Sequence, residues 1–340
     1  MNPPEAPASA NPGRPWLTRS VAAIVLATFF SDVSHEMCTA VLPMFLATVG
    51  LGPGALGLIE GVADFLVSIS KLAGGYVGHH VERKRPLASL GYLVTTLGTW
   101  GIAFVGNLAA LLTLRGAAWV GRGFRSPLRD HMLADAVDPD YYGRAYGLER
   151  AGDMLGAVVG PLLAFLLLWA GLEFRTIILW TLLPGMLAAA AFFLFTKDRD
   201  VPPRLVETGN DQGPPRKPPF PKVFWLFLIG VFLFGLGDFS RTFIVWLAAR
   251  TVGEAGPMAG GMLSLAVLLY MLHNLVSAAA AYPVGLLGDR RAKLPVLAVG
   301  YGIGVGTNLL LAFLSGALPW LVGAIVLSGV YIAVEETLEK

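Results

Sequence analysis

The stretch "GGYVGHHVERKRPLASLGY", residues 74–92, resembles a second stretch, "PVGLLGDRRAKLPVLAVGY", residues 283–301. In each copy two glycines lie three residues apart, a short basic loop follows them, and the segment ends on Gly-Tyr. "Asp-Val-Ser" at residues 32–34 likewise matches "Asp-Phe-Ser" at residues 238–240, and both matches are offset by about 205–210 residues. Two matches in the same register predict a duplicated bundle of helices.

The composition around these loops is that of a membrane protein. Of the 340 residues, 55% are hydrophobic and only 14% are charged, whereas a soluble domain carries about 25% charged residues. The net charge of +2 does not predict a nucleic-acid partner, and a single cysteine, Cys38, excludes an internal disulfide. The partner expected from the composition is the lipid bilayer.

Long apolar runs predict about ten membrane-spanning helices, because one span needs roughly 20 apolar residues. The predicted spans are residues 20–49, 54–78, 87–106, 108–125, 146–170, 174–196, 222–249, 258–287, 294–315 and 317–340. The alternating ten-residue segments of a membrane β-barrel are missing from the sequence. The predicted fold class is therefore an all-α polytopic membrane protein.

This pattern divides the chain into four predicted parts. A polar cytoplasmic tail (1–19) precedes a six-helix bundle (20–196). A cytoplasmic linker rich in proline and charge (197–221) then leads to a second bundle of four helices (222–340).

Basic residues concentrate in the loops on one side of the predicted helices. The residues assigned to that side are Arg83, Lys84, Arg85, Arg122, Arg125, Arg129, Arg144, Lys197, Arg199, Arg290, Arg291 and Lys293. The loops on the other side contain only Arg175 and Arg250. This positive-inside bias predicts a multi-pass protein of the inner (plasma) membrane with a cytoplasmic N-terminus.

Charged residues interrupt the predicted spans, and helical spacing places most of them in stripes. The stripes are Asp32, His35, Glu36, Thr39 and Pro43; Glu60, Asp64, Ser68 and Lys71; Glu149 and Asp153; and Asp238 and Arg241, with Arg115 alone in the fourth helix. A charge at the bilayer centre costs about 2.5–3.5 kcal/mol on insertion scales. These side chains are therefore expected to line a polar path between the two bundles.

Two interpretations of the stripes remain open. In the functional one, carboxylates such as Asp32 bind protons or contact a solute in a wet internal cavity. In the structural one, the charges form internal ion pairs, for instance Arg115 or Lys71 with a carboxylate. Glu149 is predicted to have a solvated structural role near the cytoplasmic end, and Lys71 is expected to snorkel to the cytoplasmic face.

Small residues recur every four positions on the predicted fifth helix, at Gly152, Gly156 and Gly160, and Pro161 follows them. Such a ridge predicts close packing against another helix. A gating role for the ridge is an additional hypothesis.

Signals for other functions are weak. "GLGD" at residues 235–238 fits one motif of intramembrane aspartyl proteases, but the sequence contains no Tyr-Asp, Gly-x-Ser-x-Gly or His-Glu-x-x-His. An enzyme is therefore not predicted. His79 and His80 are adjacent and lack a third ligand nearby in the sequence, so neither a metal site nor a cofactor is predicted.

At these motifs the chain resembles the major facilitator superfamily of secondary transporters, over essentially its whole length. The two stretches quoted first resemble the signature loop between helices 2 and 3 and its repeat between helices 8 and 9. "RAGDMLGAVVGPLLA", residues 150–164, resembles the helix-5 motif of proton-linked antiporters, and Arg115 lies where these carry a helix-4 arginine. "SDVSHEM", "GRGFRSPLRDHMLAD" and "YGRAYGLERAGDMLGAVVGP" resemble a bacterial permease branch.

The resemblance implies alternating access by two pseudo-symmetric six-helix bundles about a central site, driven by a proton or ion gradient. It implies a monomer that moves a small solute, with efflux by proton antiport favoured. Asp32, Arg115 and Asp153 are the first candidates for coupling. The loop residues implied in gating are Gly75, Gly78, His79, Arg83, Gly285, Gly288, Asp289 and Arg290.

The chain departs from the superfamily's pattern in two places. His79 stands where the signature loop usually has an acid, which the second copy keeps as Asp289. This histidine is compatible with pH-sensitive gating or with a tolerated change. The sequence also stops at Lys340, inside the predicted tenth helix, whereas members usually have twelve helices; a truncated chain is therefore expected.

Two alternative functions remain open at this point. Asp32, His35 and Glu36, with Asp238 facing them by pseudo-symmetry, offer oxygen and nitrogen ligands for a divalent cation. They would then belong to a transporter of metal ions or metal chelates. A membrane receptor or a truncated remnant that transports nothing is the other alternative.

Overall fold

The computed structural model describes residues 16–198, 221–230 without 223 and 227, 265–290, 293–314 and 318–339. The helices defined in these ranges are α1 (Arg19–Thr48), α2 (Pro53–His80), α3 (Lys84–Gly101), α4 (Leu108–Asp135), α5 (Tyr142–Trp169), α6 (Phe174–Trp180), α7 (Leu182–Phe195), α8 (Leu265–Arg290), α9 (Lys293–Leu314) and α10 (Leu318–Leu338). Short helical stretches also occur within 222–230, and the described ranges contain no strand. The predicted all-α class is confirmed.

Six helical segments in the described ranges are long and apolar enough to cross a membrane. They are Arg19–Leu42, Lys84–Phe104, Pro139–Trp169, Phe174–Phe195, Lys293–Phe313 and Leu318–Leu338. Neither α2 nor α4 belongs to this set, since both carry several charged residues. α4 can be buried in a bundle only if its arginines find partners there.

α4 is longer than the sequence predicted. The expected helix ended at residue 125, but α4 runs to Asp135 and contains Pro127. The hydroxyl of Ser126 donates to the carbonyl of Arg122 at 2.8 Å, and beyond the proline the buried side chains of Leu128 and Leu133 join a core with α1, α3, α5 and α7. Burial of these leucines favours a continued helix despite the one N–H that proline lacks.

The longer helix corrects the assignment of three basic residues. Arg122, Arg125 and Arg129 were predicted in a cytoplasmic loop and instead lie inside α4. Arg125 and Arg129 are buried. The loop assignment was made from the distribution of basic residues, and it was wrong because buried partners hold these arginines inside the bundle.

The predicted span 174–196 is broken at Thr181 into α6 and α7. Pro184, in the first turn of α7, has no N–H for the carbonyl four residues earlier. The Ser34 hydroxyl of α1 donates to the Thr181 carbonyl at 2.8 Å, so a side chain from another helix uses a carbonyl at the break.

The helices pack as two groups joined by α5 and α8. α1 packs on α5 and α7, and α4 packs on α2 and α3. In the second group α10 packs on both α8 and α9. α5 of the first group packs along α8 and also touches α10, so α5 is the helix that links the groups.

One side of this bundle is called the N side here, because α1 begins there. Arg19 at the start of α1 lies over Phe195 at the end of α7, 4.7 Å from its ring centre. Lys84 at the start of α3 pairs with Asp135 at the end of α4, with 3.7 Å between Nζ and Oδ2. The start of α5 and the end of α8 also meet on this side, as described below.

The internal repeat is visible in the packing. Gly78 of α2 lies against Leu128 of α4, and Gly288 of α8 lies against Leu338 of α10. The same offset of 210 residues separates the two glycines and the two leucines. The α2–α4 pair of the first group therefore has its counterpart in the α8–α10 pair of the second.

Candidate functional site

Three helices bring their charges together at Arg122. Its Nη2 lies 2.5 Å from Oδ1 of Asp32 on α1 and 3.8 Å from Oδ1 of Asp153 on α5. Both carboxylates are buried. One guanidinium thus faces two acids from two different helices.

Glycines of α5 make this meeting close. A Cβ added at Gly156 would lie 2.8 Å from Cβ of Asp32, and one added at Gly160 would lie 2.8 Å from Cβ of Glu36. Both distances are too short for any other residue. The ridge of small residues therefore lies against α1 at the level of its two acids.

The charges continue from α5 to the second group of helices. Arg150 Nη1 contacts Asp153 one turn along α5 and also Glu336 of α10. Arg150 is buried, whereas the Glu336 side chain is 28% exposed. Asp32, Arg122, Asp153, Arg150 and Glu336, called the central network below, connect the two groups of helices.

Two further ion pairs flank the central network along α4. On the side away from the N side, Arg115 Nη2 lies 3.0 Å from Glu60 Oε1 and 3.2 Å from the Thr39 hydroxyl. Toward the N side, Arg129 Nη1 lies 2.8 Å from Glu149 Oε1. Arg115, Arg122 and Arg129 are seven residues apart and therefore share one face of α4.

The prediction that Glu149 is solvated is wrong. Its side chain is 1% exposed and paired with Arg129, so it is not solvated as expected. The prediction relied on the position of Glu149 near the cytoplasmic end, and it failed because Arg129, inside α4, supplies a buried counter-charge there.

Trp119 lies between the arginine pairs on the same helix. Its ring centre is 5.6 Å from the Arg115 guanidinium carbon and 5.7 Å from that of Arg122. His35 of α1 meets it edge-on, with ring centres 4.8 Å apart. Guanidinium groups at these distances attract the indole ring as cation–π contacts.

Arg125 lies beside this group without a carboxylate among the described residues. Its Nη2 donates to the Ser31 hydroxyl at 2.7 Å, and its guanidinium lies 3.7 Å from the ring centre of Tyr92. A hydroxyl and an aromatic ring offset the cost of burying a guanidinium less well than a carboxylate does.

Several buried polar atoms in this region lack a hydrogen-bond partner in the described part of the chain. They are His35 Nδ1, Arg115 Nε and Nη1, Trp119 Nε1, Arg122 Nη1, and Arg125 Nε and Nη1. An unsatisfied buried donor costs about 1–3 kcal/mol, and more when it is charged. The region around Trp119 is thus rich in N–H groups that have no acceptor among the described residues.

On the N side, Asp289 connects α8 to the start of α5. Its carboxylate accepts hydrogen bonds from the backbone N–H of Gly143 at 2.6 Å and of Arg144 at 3.0 Å, and from Arg144 Nε at 2.9 Å. A carboxylate at a helix N-terminus is favoured by the helix dipole. A Cβ at Gly285 would overlap the Gly143 carbonyl, so the two backbones touch here. This contact is called the α5–α8 junction below.

The loop after α2 is arranged differently. Gly78 packs on Leu128, and Pro127 lies 4.0 Å from a Cβ built at Gly75. His79 is exposed and lies against His80, with ring centres 5.3 Å apart. Arg83 is exposed, as is Arg290 in the second copy.

Three further predicted residues differ in their exposure. Glu36 is half-buried on α1. Asp64 and Lys71 lie on α2 and are exposed. Asp238 and Arg241 are outside the described residues. The described residues contain no group of three or more His, Cys, Asp or Glu side chains that could hold a metal ion.

Comparison with known proteins identifies relatives that match most of the chain in sequence. The sequence profile of the Major Facilitator Superfamily matches residues 24–337. An uncharacterized MFS-type transporter of Methanocaldococcus jannaschii is 27% identical over 289 residues, which cover 84% of this chain and 70% of the relative.

Two solved structures share the fold. A bacterial homolog of the human lysosomal transporter Spinster, in an inward-facing and unoccupied conformation, has a TM-score of 0.62 at 17% identity, covering 96% of this chain and 75% of the other. The human organic anion transporter MFSD10 has a TM-score of 0.65 at 16% identity, covering 96% of this chain and 85% of the other. At these identities the likeness concerns the fold alone.

Proposed function

Because the chain belongs to the major facilitator superfamily of secondary transporters, we propose that it moves a small solute by proton-coupled alternating access, with efflux by antiport as the favoured direction. The central network is the observation that supports this proposal. It places two buried carboxylates on one arginine and extends from the first group of helices to the second.

Sharing of one arginine gives proton binding a mechanical consequence. A proton on Asp32 removes its charge, and Arg122 then interacts more strongly with Asp153, which lies 3.8 Å away in the present arrangement. Asp153 also holds Arg150, which contacts Glu336 on α10. A change of charge on α1 is thereby passed to the contact between the two groups of helices.

Opening and closing would take place at the α5–α8 junction on the N side. Asp289 and the contact of Gly143 with Gly285 hold the two helices together there. We propose that this junction separates when the central site opens to the N side. Gly75, Gly78, His79 and Arg83 are proposed to do the same for the first repeat.

The remaining parts of the proposal concern the setting of the transporter. We propose that it is a monomer of the plasma membrane and that the N side faces the cytoplasm. Asp64, Asp238 and Arg241 remain proposed cavity residues. Nothing in the described residues favours a metal-ion cargo, because they contain no group of three ligands.

The proposal is tested in everted membrane vesicles that contain the full chain. Respiration acidifies the vesicle interior, and a pH-sensitive dye reports loss of the gradient when organic acids, organic cations or neutral sugars are added in turn. At least one class is expected to dissipate the gradient, and Asp32→Asn is expected to abolish that response. Asp140→Asn is the matched control, because Asp140 is exposed in the turn before α5.

The response of the two variants decides whether the central network couples transport to protons. A response that Asp32→Asn abolishes and Asp140→Asn preserves supports the proposal. A response of full size in Asp32→Asn would show that the central network does not couple transport to protons. Movement of a solute in proteoliposomes without any proton movement would overturn the coupling altogether.

A further inference from the structure

We propose that the central site takes an anionic solute, whose carboxylate or other oxyanion accepts hydrogen bonds from Arg115, Trp119 and Arg122. This inference rests on the proposed function, because it names the class of solute for the same site. It is drawn from the hydrogen-bonding state of the side chains around Trp119.

The three residues present their polar groups on one face of α4. Arg115, Trp119 and Arg122 are at positions i, i+4 and i+7. Both guanidinium groups lie within 6 Å of the indole ring centre, at 5.6 and 5.7 Å. His35 of α1 adjoins the same indole at 4.8 Å. Three side chains able to donate hydrogen bonds therefore adjoin the indole, whose own N–H is a fourth donor.

The arginines use only part of their bonding capacity on the protein. Arg115 binds Glu60 and Thr39 through Nη2, and Arg122 binds Asp32 through Nη2. Nη1 of each residue, together with Nε1 of Trp119, has no acceptor within the described residues. These N–H groups are therefore the donors that an anion would engage without displacing either carboxylate.

Three carboxylates of the site are already paired with arginines, which disfavours a cationic solute. Asp32 faces Arg122, Glu60 faces Arg115, and Asp153 faces both Arg122 and Arg150. The Trp119 ring, the other feature that attracts cations, already has two guanidinium groups near it. A cation would have to displace an arginine, whereas an anion meets donors that lack a partner.

The test measures equilibrium binding to the full chain in lipid nanodiscs. The probes are benzoate and inorganic phosphate as anions, benzamide as the neutral counterpart of benzoate, and benzylamine as the cation, all at constant ionic strength. We expect at least one anion to bind saturably and more tightly than benzamide and benzylamine.

Two variants examine the site in different ways. Trp119→Phe keeps an aromatic ring and removes the indole N–H. The double variant Arg115→Gln with Glu60→Gln removes the Arg115 guanidinium and its partner carboxylate, so the net charge does not change. Each is expected to weaken anion binding about tenfold or more, as the loss of a hydrogen bond to a charged group does. Trp180→Phe is the control, since Trp180 is 49% exposed and lies at the end of α6.

The results separate this inference from the proposed function. Tighter binding of benzylamine than of either anion, or anion binding that both variants leave unchanged, would overturn the anionic class. The vesicle assay could still show proton-coupled transport in that case. Conversely, anion binding that both variants weaken, without any proton movement in the vesicles, would support the anion site and overturn the coupling.

Discussion

Replacement of Arg129 by glutamine tests a buried ion pair between α4 and α5. Glu149 has 1% of its side chain exposed, and Arg129 faces it at 2.8 Å. The variant Arg129→Gln removes this counter-charge from the buried Glu149 carboxylate, and it also removes the contact of Arg129 with Asp130, whose side chain is 26% exposed. Loss of one partner of a buried ion pair costs about 3–5 kcal/mol, and we expect the free energy of unfolding to fall by that amount.

The more exposed ion pair between the start of α3 and the end of α4 provides the comparison. Lys84 and Asp135 are 3.7 Å apart, and their side chains are 17% and 30% exposed. Lys84→Gln is expected to cost no more than about 1 kcal/mol, as exposed pairs do. The double variant Arg129→Gln with Glu149→Gln removes both buried charges and should regain most of the lost stability.

The assay is equilibrium unfolding in mixed micelles, with sodium dodecyl sulfate as denaturant and far-ultraviolet circular dichroism as the signal. A loss below about 1 kcal/mol for Arg129→Gln, equal to that of Lys84→Gln, would show that Glu149 is solvated. The burial argument would then be refuted. A double variant as unstable as the single one would refute the assignment of the loss to an unpaired charge.

Three further variants test the network and the junction. Asp32→Asn is expected to make transport in proteoliposomes insensitive to a pH gradient while solute binding persists; lost binding would contradict a role limited to coupling. Gly285→Leu should abolish transport, since a side chain there meets the Gly143 backbone. Gly302→Leu is the control and should leave transport intact, because nothing lies within 4 Å of a Cβ at that position. Equal transport by the two variants would argue against closure at the α5–α8 junction. Asp289→Asn should lower the unfolding temperature by a few degrees, as three charge-assisted hydrogen bonds weaken; an unchanged temperature would count against the junction's role in stability.

Much of the fold followed from apolar length and from repetition. The runs of apolar residues predicted an all-α membrane protein, and the paired Gly-rich loops predicted a repeat that the packing of Gly78 and Gly288 displays. Hydropathy depends on composition alone, so it locates helices well where they face lipid. It does not locate the end of a helix such as α4, whose last turns are held by tertiary contacts of Leu128 and Leu133.

The site was predicted less completely, and the reason lies in α4. Asp32, Arg115 and Asp153 were identified because a charge within an apolar run is conspicuous. Arg122 and Arg150, which contact these acids, were not among the predicted site residues although both lie within predicted spans (108–125 and 146–170), because hydropathy does not show which charges on different helices meet. The seven-residue spacing of Arg115, Arg122 and Arg129 was the available signal.

The arginines of α4 also bear on how the chain enters the membrane during synthesis. Each arginine at the centre of a helix opposes insertion by about 2.5–3.5 kcal/mol, and α4 contains four of them at Arg115, Arg122, Arg125 and Arg129. Glu60 and Asp32 are made before α4, but Glu149 and Asp153 belong to the helix made after it. α4 therefore gains its full set of counter-charges only when α5 has left the ribosome, and the two helices are expected to enter the bilayer together as a hairpin.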